Sequence, residues 1–258
     1  MMKEHRIQVD LAKCIGCGMC RKDCPADNIS ITDKKAVIKS QVCIKCGHCV
    51  AVCPKAAVSM TGFEEPAVEI NKAVILEPQQ LMDALRTRRS IRQFKKRPLP
   101  PEVISRIIEA GRLTPSAKNA QDVSYIVLKD NIERYEKMAV KLFKRLLPLA
   151  RLVSSMAKNK EIDDHFFFHE APAVIMIVSG DKISGALAAS NMALMAEANG
   201  LGVLYSGFFT MAANMSLSLR RSLNLNRKNK VVETLVLGYP DVRYHRTVQK
   251  EAAKVRFL

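Results

Sequence analysis

Eight cysteines carry the most pointed chemistry in this 258-residue chain. They fall in two runs, Cys14-Ile15-Gly16-Cys17-Gly18-Met19-Cys20-Arg21-Lys22-Asp23-Cys24-Pro25 and Cys43-Ile44-Lys45-Cys46-Gly47-His48-Cys49-Val50-Ala51-Val52-Cys53-Pro54. Each reads C-x₂-C-x₂-C-x₃-C-P, the spacing that holds [4Fe–4S] clusters, and corresponding cysteines lie 29 positions apart, so the segment is an internal duplication. A cuboidal cluster needs four converging thiolates. Three come from one tight loop, and in this arrangement the fourth comes from the other run. The pattern assigns Cys14, Cys17, Cys20 and Cys53 to one cluster, and Cys43, Cys46, Cys49 and Cys24 to the other. A single zinc ion would not call for a third cysteine at the same step followed by Cys-Pro. A disulfide framework suits small secreted domains, and Met1-Met2-Lys3-Glu4-His5-Arg6 lacks the apolar core of a secretory signal. The expected setting is therefore the reducing cytoplasm. The clusters carry single electrons, which leaves the question of what they feed.

The formal charge of +16 suggests a nucleic-acid partner, but the sum counts the cysteines as neutral. Two oxidised clusters on eight thiolates would contribute about −4 and a bound phosphate up to about −2, leaving about +10. That excess favours an acidic partner or anionic ligands. Aromatic residues are 5%, Trp is missing, and no zinc-finger, RNP-type or helix-turn-helix pattern stands out, so the reading assigns no nucleic-acid partner. No apolar run reaches the roughly 20 residues of a membrane span, so it assigns no membrane either.

Short alternating segments at 6–10, 28–32, 36–38 and 57–60 predict strands around the cysteine runs, with helical turns expected after each Cys-Pro step. Gly62, Pro66 and Pro78 mark a surface connector. From Gln79 the pattern turns helical and ends in Arg86-Thr87-Arg88-Arg89-Ser90-Ile91-Arg92-Gln93-Phe94-Lys95-Lys96-Arg97, seven cations in twelve residues. A serine among alternate arginines is what a phosphate site looks like, because guanidinium forks, a hydroxyl and backbone N–H groups all suit it; a solvated basic run reads the same way. A helix over 100–111 begins with proline and spaces Ile104, Ile107 and Ile108 on one face. Leu113–Gln121 is a polar turn, followed by a strand over 124–128. Tyr135–Lys160 is long, basic and amphipathic: packing is the first reading, a lid or a partner-docking face the others, and its cations could meet an acidic carrier. His165 and His169, at i and i+4 without a carboxylate motif, read as ordinary side chains.

Arg-Arg-Ser-Ile-Arg-Gln-Phe at 88–94, a short helix, and Pro-Ser-Ala-Lys-Asn-Ala-Gln at 115–121 before a strand resemble the opening of the nitroreductase family of FMN-dependent oxidoreductases. Later segments agree: the Ala-Pro step and strand at 171–179, the small-residue helix at 186–199, Gly200-Leu-Gly-Val-Leu-Tyr-Ser-Gly207, and the strand at 231–237 ending Gly238-Tyr239-Pro240 with Arg246 beyond. The similarity spans about 79–250. It implies an α+β chain with a ferredoxin-like domain over 1–61, a linker over 62–78, and a nitroreductase-like FMN domain over 79–258 with a central mixed sheet flanked by helices.

By position, the resemblance implies that Arg88, Ser90 and Arg92, with the backbone at Arg89, grip the FMN phosphate, ribityl chain and pyrimidine edge. Arg246 or Lys250 would complete the phosphate site. Pro115, Ser116, Asn119 and Gln121 would line the flavin from the same subunit or its partner, and Tyr205, Ser206 and Gly207 would border the ring. A homodimer with FMN at the interface is implied. Gln121-Asp122-Val123 replaces the family's frequent Gln-Pro-Trp, which points to a different substrate pocket. The function expected is electron transfer between two [4Fe–4S] clusters and FMN to reduce a nitroaromatic, quinone or activated alkene. The donor would be NAD(P)H or reduced acidic ferredoxin, and no catalytic side chain is named. Two other readings stand beside it: a non-catalytic electron carrier with a docking domain, and a redox sensor associated with nucleic acid.

Overall fold

The computed structural model describes residues 5–39, 43–72, 74–153 and 155–258. The extreme N-terminus, three residues of the expected first domain (40–42), Ala73 of the expected linker and Ser154 of the basic segment lie outside them. The chain divides into two compact units, one of residues 1–75 with 118–120, the other of 76–117 and 121–258.

The first unit holds two small antiparallel pairs. Strand β1 (Ile7–Val9) and helix α1 (Met19–Lys22) precede β2 (Ile29–Thr32) and β3 (Lys35–Ile38); α2 (His48–Ala51) and β4 (Val58–Met60) follow. β1 pairs with β4 and β2 with β3. Asp33 and Lys34 turn the β2–β3 hairpin with φ of 49° and 59°, the doubly left-handed turn whose twist matches the flanking strands. The duplication is visible in three dimensions: Gly18 and Gly47 enter α1 and α2 with φ of 77° and 74°. The helical turns lie before the Cys-Pro steps, not after them as the sequence reading expected. Proline disfavours helical backbone in the residue before it, so each turn must end by Cys24 or Cys53. The core contains the cysteines themselves, with Cys14, Cys20 and Cys49 buried beside Ile29, Ala36, Ala57 and Val58.

The second unit begins with α3 (Pro78–Thr87) and α4 (Pro101–Arg112), then β5 (Ser124–Leu128), α5 (Ile132–Val153), α6 (Ser155–Lys158), β6 (Ala173–Ser179), α7 (Lys182–Ala198), β7 (Gly202–Tyr205), α8 (Gly207–Met215), α9 (Leu217–Ser222) and β8 (Lys230–Gly238). The sheet runs β5-β6-β8-β7 with every pair antiparallel. The parallel component is a single bridge between Ser90 and Val203 on the β7 edge.

β6 is buried along its whole length, and its period of two divides the core. Ala173, Ile175 and Ile177 face the layer of α4 and α7, with Ile107, Ala189, Met192 and Ala193. Val174, Met176 and Val178 face Phe167, Phe168, Phe209 and Ala139 of the opposite layer. Burying each such large aliphatic side chain favours folding by about 1.5–3 kcal/mol, so the sheet is a rigid platform. Small residues bring α7 close: a Cβ at Gly185 would come within 2.8 Å of Val232. Among the described residues no helix is long and apolar enough to cross a membrane.

Candidate iron–sulfur and flavin sites

Two cavities lie in the first unit. One, with about 350 Å³ of space partly open to solvent, is lined by Cys14, Cys17 and Cys20 of the first run and Cys53 of the second. The other, about 380 Å³, is lined by Cys43, Cys46 and Cys49 with Cys24 of the first. Each thus gathers three thiols from one loop and the fourth from the far run. Backbone N–H groups already point at sulfur: Asn28 N donates to Cys24 Sγ at 3.3 Å and Ala57 N to Cys53 Sγ at 3.2 Å, equivalent bonds in the two repeats. Ala36 N donates to Cys14 Sγ at 3.4 Å, and with Gly16 N it lowers that thiol's pKa.

Elsewhere crowding works the other way. Burial, then the neighbouring Cys43 and Cys46, pushes the Cys49 thiol up to about 11, and burial raises Cys20. Four thiolates held this close need a polycationic core to offset their mutual repulsion. Among the described residues, no three His, Cys, Asp or Glu side chains form a group that could hold a single metal ion. Thiols converging on one cavity from two loops suit a cuboidal cluster.

In the second unit, the chain after α3 runs along the edge of the sheet. Ile91 N donates to Val203 O at 3.0 Å and Lys95 N to Tyr239 O at 2.9 Å. Ile91 and Phe94 are buried, and Ser90, Arg92 and Gln93 are exposed. Arg88 reaches the Tyr205 phenol and acts on Glu197; burial raises the pKa of both groups and the guanidinium partly offsets it. The Arg89 guanidinium lies 5.7 Å from the Tyr244 ring centroid, which brings the segment carrying Arg246 toward the arginine run. Arg246 and Lys250 are exposed on that extended segment. Burial, and then the Arg92 charge, depresses the His169 pKa.

The ring-bordering residues divide. Tyr205 Oη donates to Ala189 O at 3.1 Å, and Ser206 is buried, its Oγ donating to Phe167 O at 3.0 Å and its N to Thr234 O at 2.8 Å. Both hydroxyls are therefore engaged in holding β7 to its neighbours. Gly207, which opens α8, is exposed and has open space where a side chain would stand. A helix N-terminus with room beside it fits an electron-rich ligand edge.

Ser116 Oγ accepts from Gln121 N at 2.9 Å across the polar turn, and Pro115 is exposed. Asn119 clusters with the first unit, where its Nδ2 donates to Ile44 O at 3.1 Å and Lys45 O at 2.8 Å. Asp122, at the departure from the family pattern, accepts from Ser179 Oγ at 2.9 Å and Gly180 N at 3.3 Å, so it ties the end of β6. His165 and His169 flank three phenylalanines that fill the core, and His165 Nδ1 stands 3.7 Å from the buried Glu136. Sequence reasoning missed Glu197, although a lone carboxylate near the end of an apolar helix was the available signal.

A nitrogen- and hydroxyl-rich edge beside an α+β sheet, on a chain with two cysteine-lined cavities, defines an iron–sulfur oxidoreductase. The nitroreductase family's model matches residues 85–239, and a 4Fe–4S dicluster domain matches residues 6–54. The chain belongs to the nitroreductase family and is an FMN-dependent oxidoreductase of that type. A Methanothermobacter thermautotrophicus protein, provisionally named NADH dehydrogenase/NAD(P)H nitroreductase, is 27% identical over 169 residues, 62% of this chain and 77% of its own. A Bacteroides fragilis nitroreductase solved with FMN superposes with a TM-score of 0.57 at 17% identity, over 69% of this chain and 98% of that one. A Desulfitobacterium hafniense nitroreductase with FMN gives 0.56 at 19%, over 68% and 97%.

Proposed function

We propose that this chain passes electrons between two [4Fe–4S] clusters and FMN to reduce a small organic acceptor, such as a nitroaromatic, quinone or activated alkene. The observation that carries this reading is the crossed pair of cysteine cavities on the same chain as a nitroreductase-family domain. Cys14, Cys17, Cys20 and Cys53 would hold one cluster, and Cys43, Cys46, Cys49 and Cys24 the other. When bound, FMN supplies exchange of a hydride or of single electrons, and the clusters supply one electron at a time. The acceptor needs a pair, so the chain accumulates two electrons before releasing them. NAD(P)H or reduced ferredoxin is the donor.

Arg88, Ser90 and Arg92, with the backbone at Arg89, would hold the phosphate end and pyrimidine edge of FMN, with Arg246 or Lys250 completing the phosphate site. Pro115, Ser116, Asn119 and Gln121 would line the flavin, and Tyr205, Ser206 and Gly207 would border its ring. A fixed cation near the pyrimidine edge stabilises negative charge that grows there on reduction. Electrostatics and positioning are the protein's share, and no side chain is assigned as proton donor.

The active form is a homodimer with FMN at its interface. α3 supports this: it buries no residue, yet Leu81, Met82 and Leu85 share one face at 39%, 46% and 43% exposure. An unpartnered apolar helix face of this kind suits association. Residues 1–61 and 79–258 act as separate domains joined by 62–78, in the cytoplasm. Anaerobic titration with NADH, NADPH and reduced ferredoxin, following flavin and cluster absorbance, tests the reading; flavin that never exchanges electrons with the clusters would refute it.

A further inference from the structure

The two cysteine runs are equivalent in backbone but not in what surrounds them. Around the first, Leu11 and Ile15 are each 57% exposed and Met19 is 43% exposed. Cys17 is exposed, whereas the equivalent Cys46 is half-buried. Exposed cations lie along the same stretch of chain. Lys13 precedes Cys14, Lys55 shares the cavity lining with Ile15 and Met19, and Arg21 and Lys22 extend α1. The Lys34 backbone lies directly against Gly16, which puts that hairpin tip beside the loop. Three acids lie nearby, and two are engaged: Asp10 accepts from Ala12 N and Lys13 N and faces Lys13 Nζ at 3.5 Å, and Asp23 sits 3.3 Å from His48 Nδ1. Asp33 stands in the hairpin beside Lys34.

Among the described residues the second run differs. Val50 and Ala51 replace Arg21 and Lys22, and Ile44, the counterpart of Ile15, is only partly exposed. The carbonyls of Ile44 and Lys45 are occupied by Asn119. A duplicated loop that is exposed, apolar-centred and cation-bearing in one copy, but only partly exposed and lacking the Arg21-Lys22 pair in the other, marks one copy for an external partner. Apolar contact supplies affinity at the centre, while the rim steers an oppositely charged partner and sets its orientation.

We infer that the face formed by Leu11, Ile15 and Met19, rimmed by Lys13, Arg21 and Lys34, is the docking surface for an acidic one-electron carrier protein. The inference rests on the proposal that the clusters carry electrons. At this face the carrier would give up one electron, and a cluster held by Cys14, Cys17, Cys20 and Cys53 would accept it; no bond or proton need move.

The test is calorimetric titration of oxidised protein, loaded with iron and FMN, with an oxidised acidic [2Fe–2S] ferredoxin as probe. Binding should be present at about 25 mM salt and weaken steeply by about 200 mM. The double change Arg21→Glu and Lys34→Glu should weaken it at least about tenfold, with iron content and visible spectrum unchanged. Leu11→Ser should weaken binding without changing its salt dependence. Lys141→Glu with Arg145→Glu, on the other basic face at α5, should leave it unaltered. Absence of binding by the unaltered protein at low salt would overturn the inference, as would loss confined to the α5 variant. Reduction of clusters and flavin by dithionite is read separately, so failure of electron transfer within the chain is distinguishable from failure of docking.

Discussion

The Ile91 side chain occupies the place where a Cβ at Gly202 would stand: that atom would come within 2.5 Å of Ile91 Cγ1 and 2.8 Å of its Cβ. This contact, with the Ile91 N–H on Val203 O, sets Arg88–Arg92 against β7. Gly202→Ala must push the arginine segment away from the sheet. Overpacking of this kind costs about 1–3 kcal/mol. Thermal unfolding should show the loss, and FMN occupancy should fall with it; native FMN content in a destabilised variant would separate the segment from the flavin site.

Arg88→Ala should weaken FMN binding by about 10- to 100-fold, the scale of one charge-assisted hydrogen bond, while iron content stays native. Flavin fluorescence after gel filtration measures the first and iron assay the second. Full flavin occupancy would move the phosphate site elsewhere.

Cys24→Ala removes the fourth thiol from the cavity of Cys43, Cys46 and Cys49. The cluster of that run should be lost or converted, and the one at Cys14, Cys17 and Cys20 retained. Cys53→Ala should do the reverse. Electron paramagnetic resonance of the reduced variants distinguishes the two; damage to the run that carries the mutation would contradict crossed ligation.

Glu136 is 2% exposed, and its Oε1 accepts from Phe167 N at 3.0 Å and Phe168 N at 2.7 Å. Burial raises its pKa, and those two N–H groups and His165 only partly offset it. The folded state thus binds this proton more tightly than the unfolded one. Its contribution to stability is present below the unfolded carboxylate pKa and is lost as pH rises through the folded value. Glu136→Gln keeps an acceptor without the charge, so it should abolish that pH dependence. Glu136→Ala orphans two buried N–H groups and should cost about 2–4 kcal/mol at any pH. Chemical denaturation between pH 4 and 8 checks both, about the ordinary carboxylate range.

Much of this was legible in the residues. The cysteine runs carried their own ligand pattern because cluster geometry constrains spacing so tightly. Hydrophobic periodicity marked the helix expected over 100–111, and the family resemblance marked the strand expected at 171–179. Periodicity did not reveal the order of helical turn and Cys-Pro step, which depends on the backbone limit proline imposes on its predecessor. Nor could it show that Ser206 spends its hydroxyl on Phe167 O, 39 positions away, or that Asp122 anchors the end of β6. Those roles come from tertiary contacts between distant segments. Asn119 is the sharpest case: its side-chain amide donates to the loop of the second cysteine run, a contact across more than 70 positions that no local pattern announces.

The most direct test of the central claim is anaerobic stopped-flow absorbance on iron- and FMN-loaded protein mixed with a limiting one-electron donor. The account predicts that the clusters bleach first and the flavin follows, at a rate independent of protein concentration, because both centres belong to one assembly. Clusters that stay reduced beside an oxidised flavin until NAD(P)H is added would contradict it.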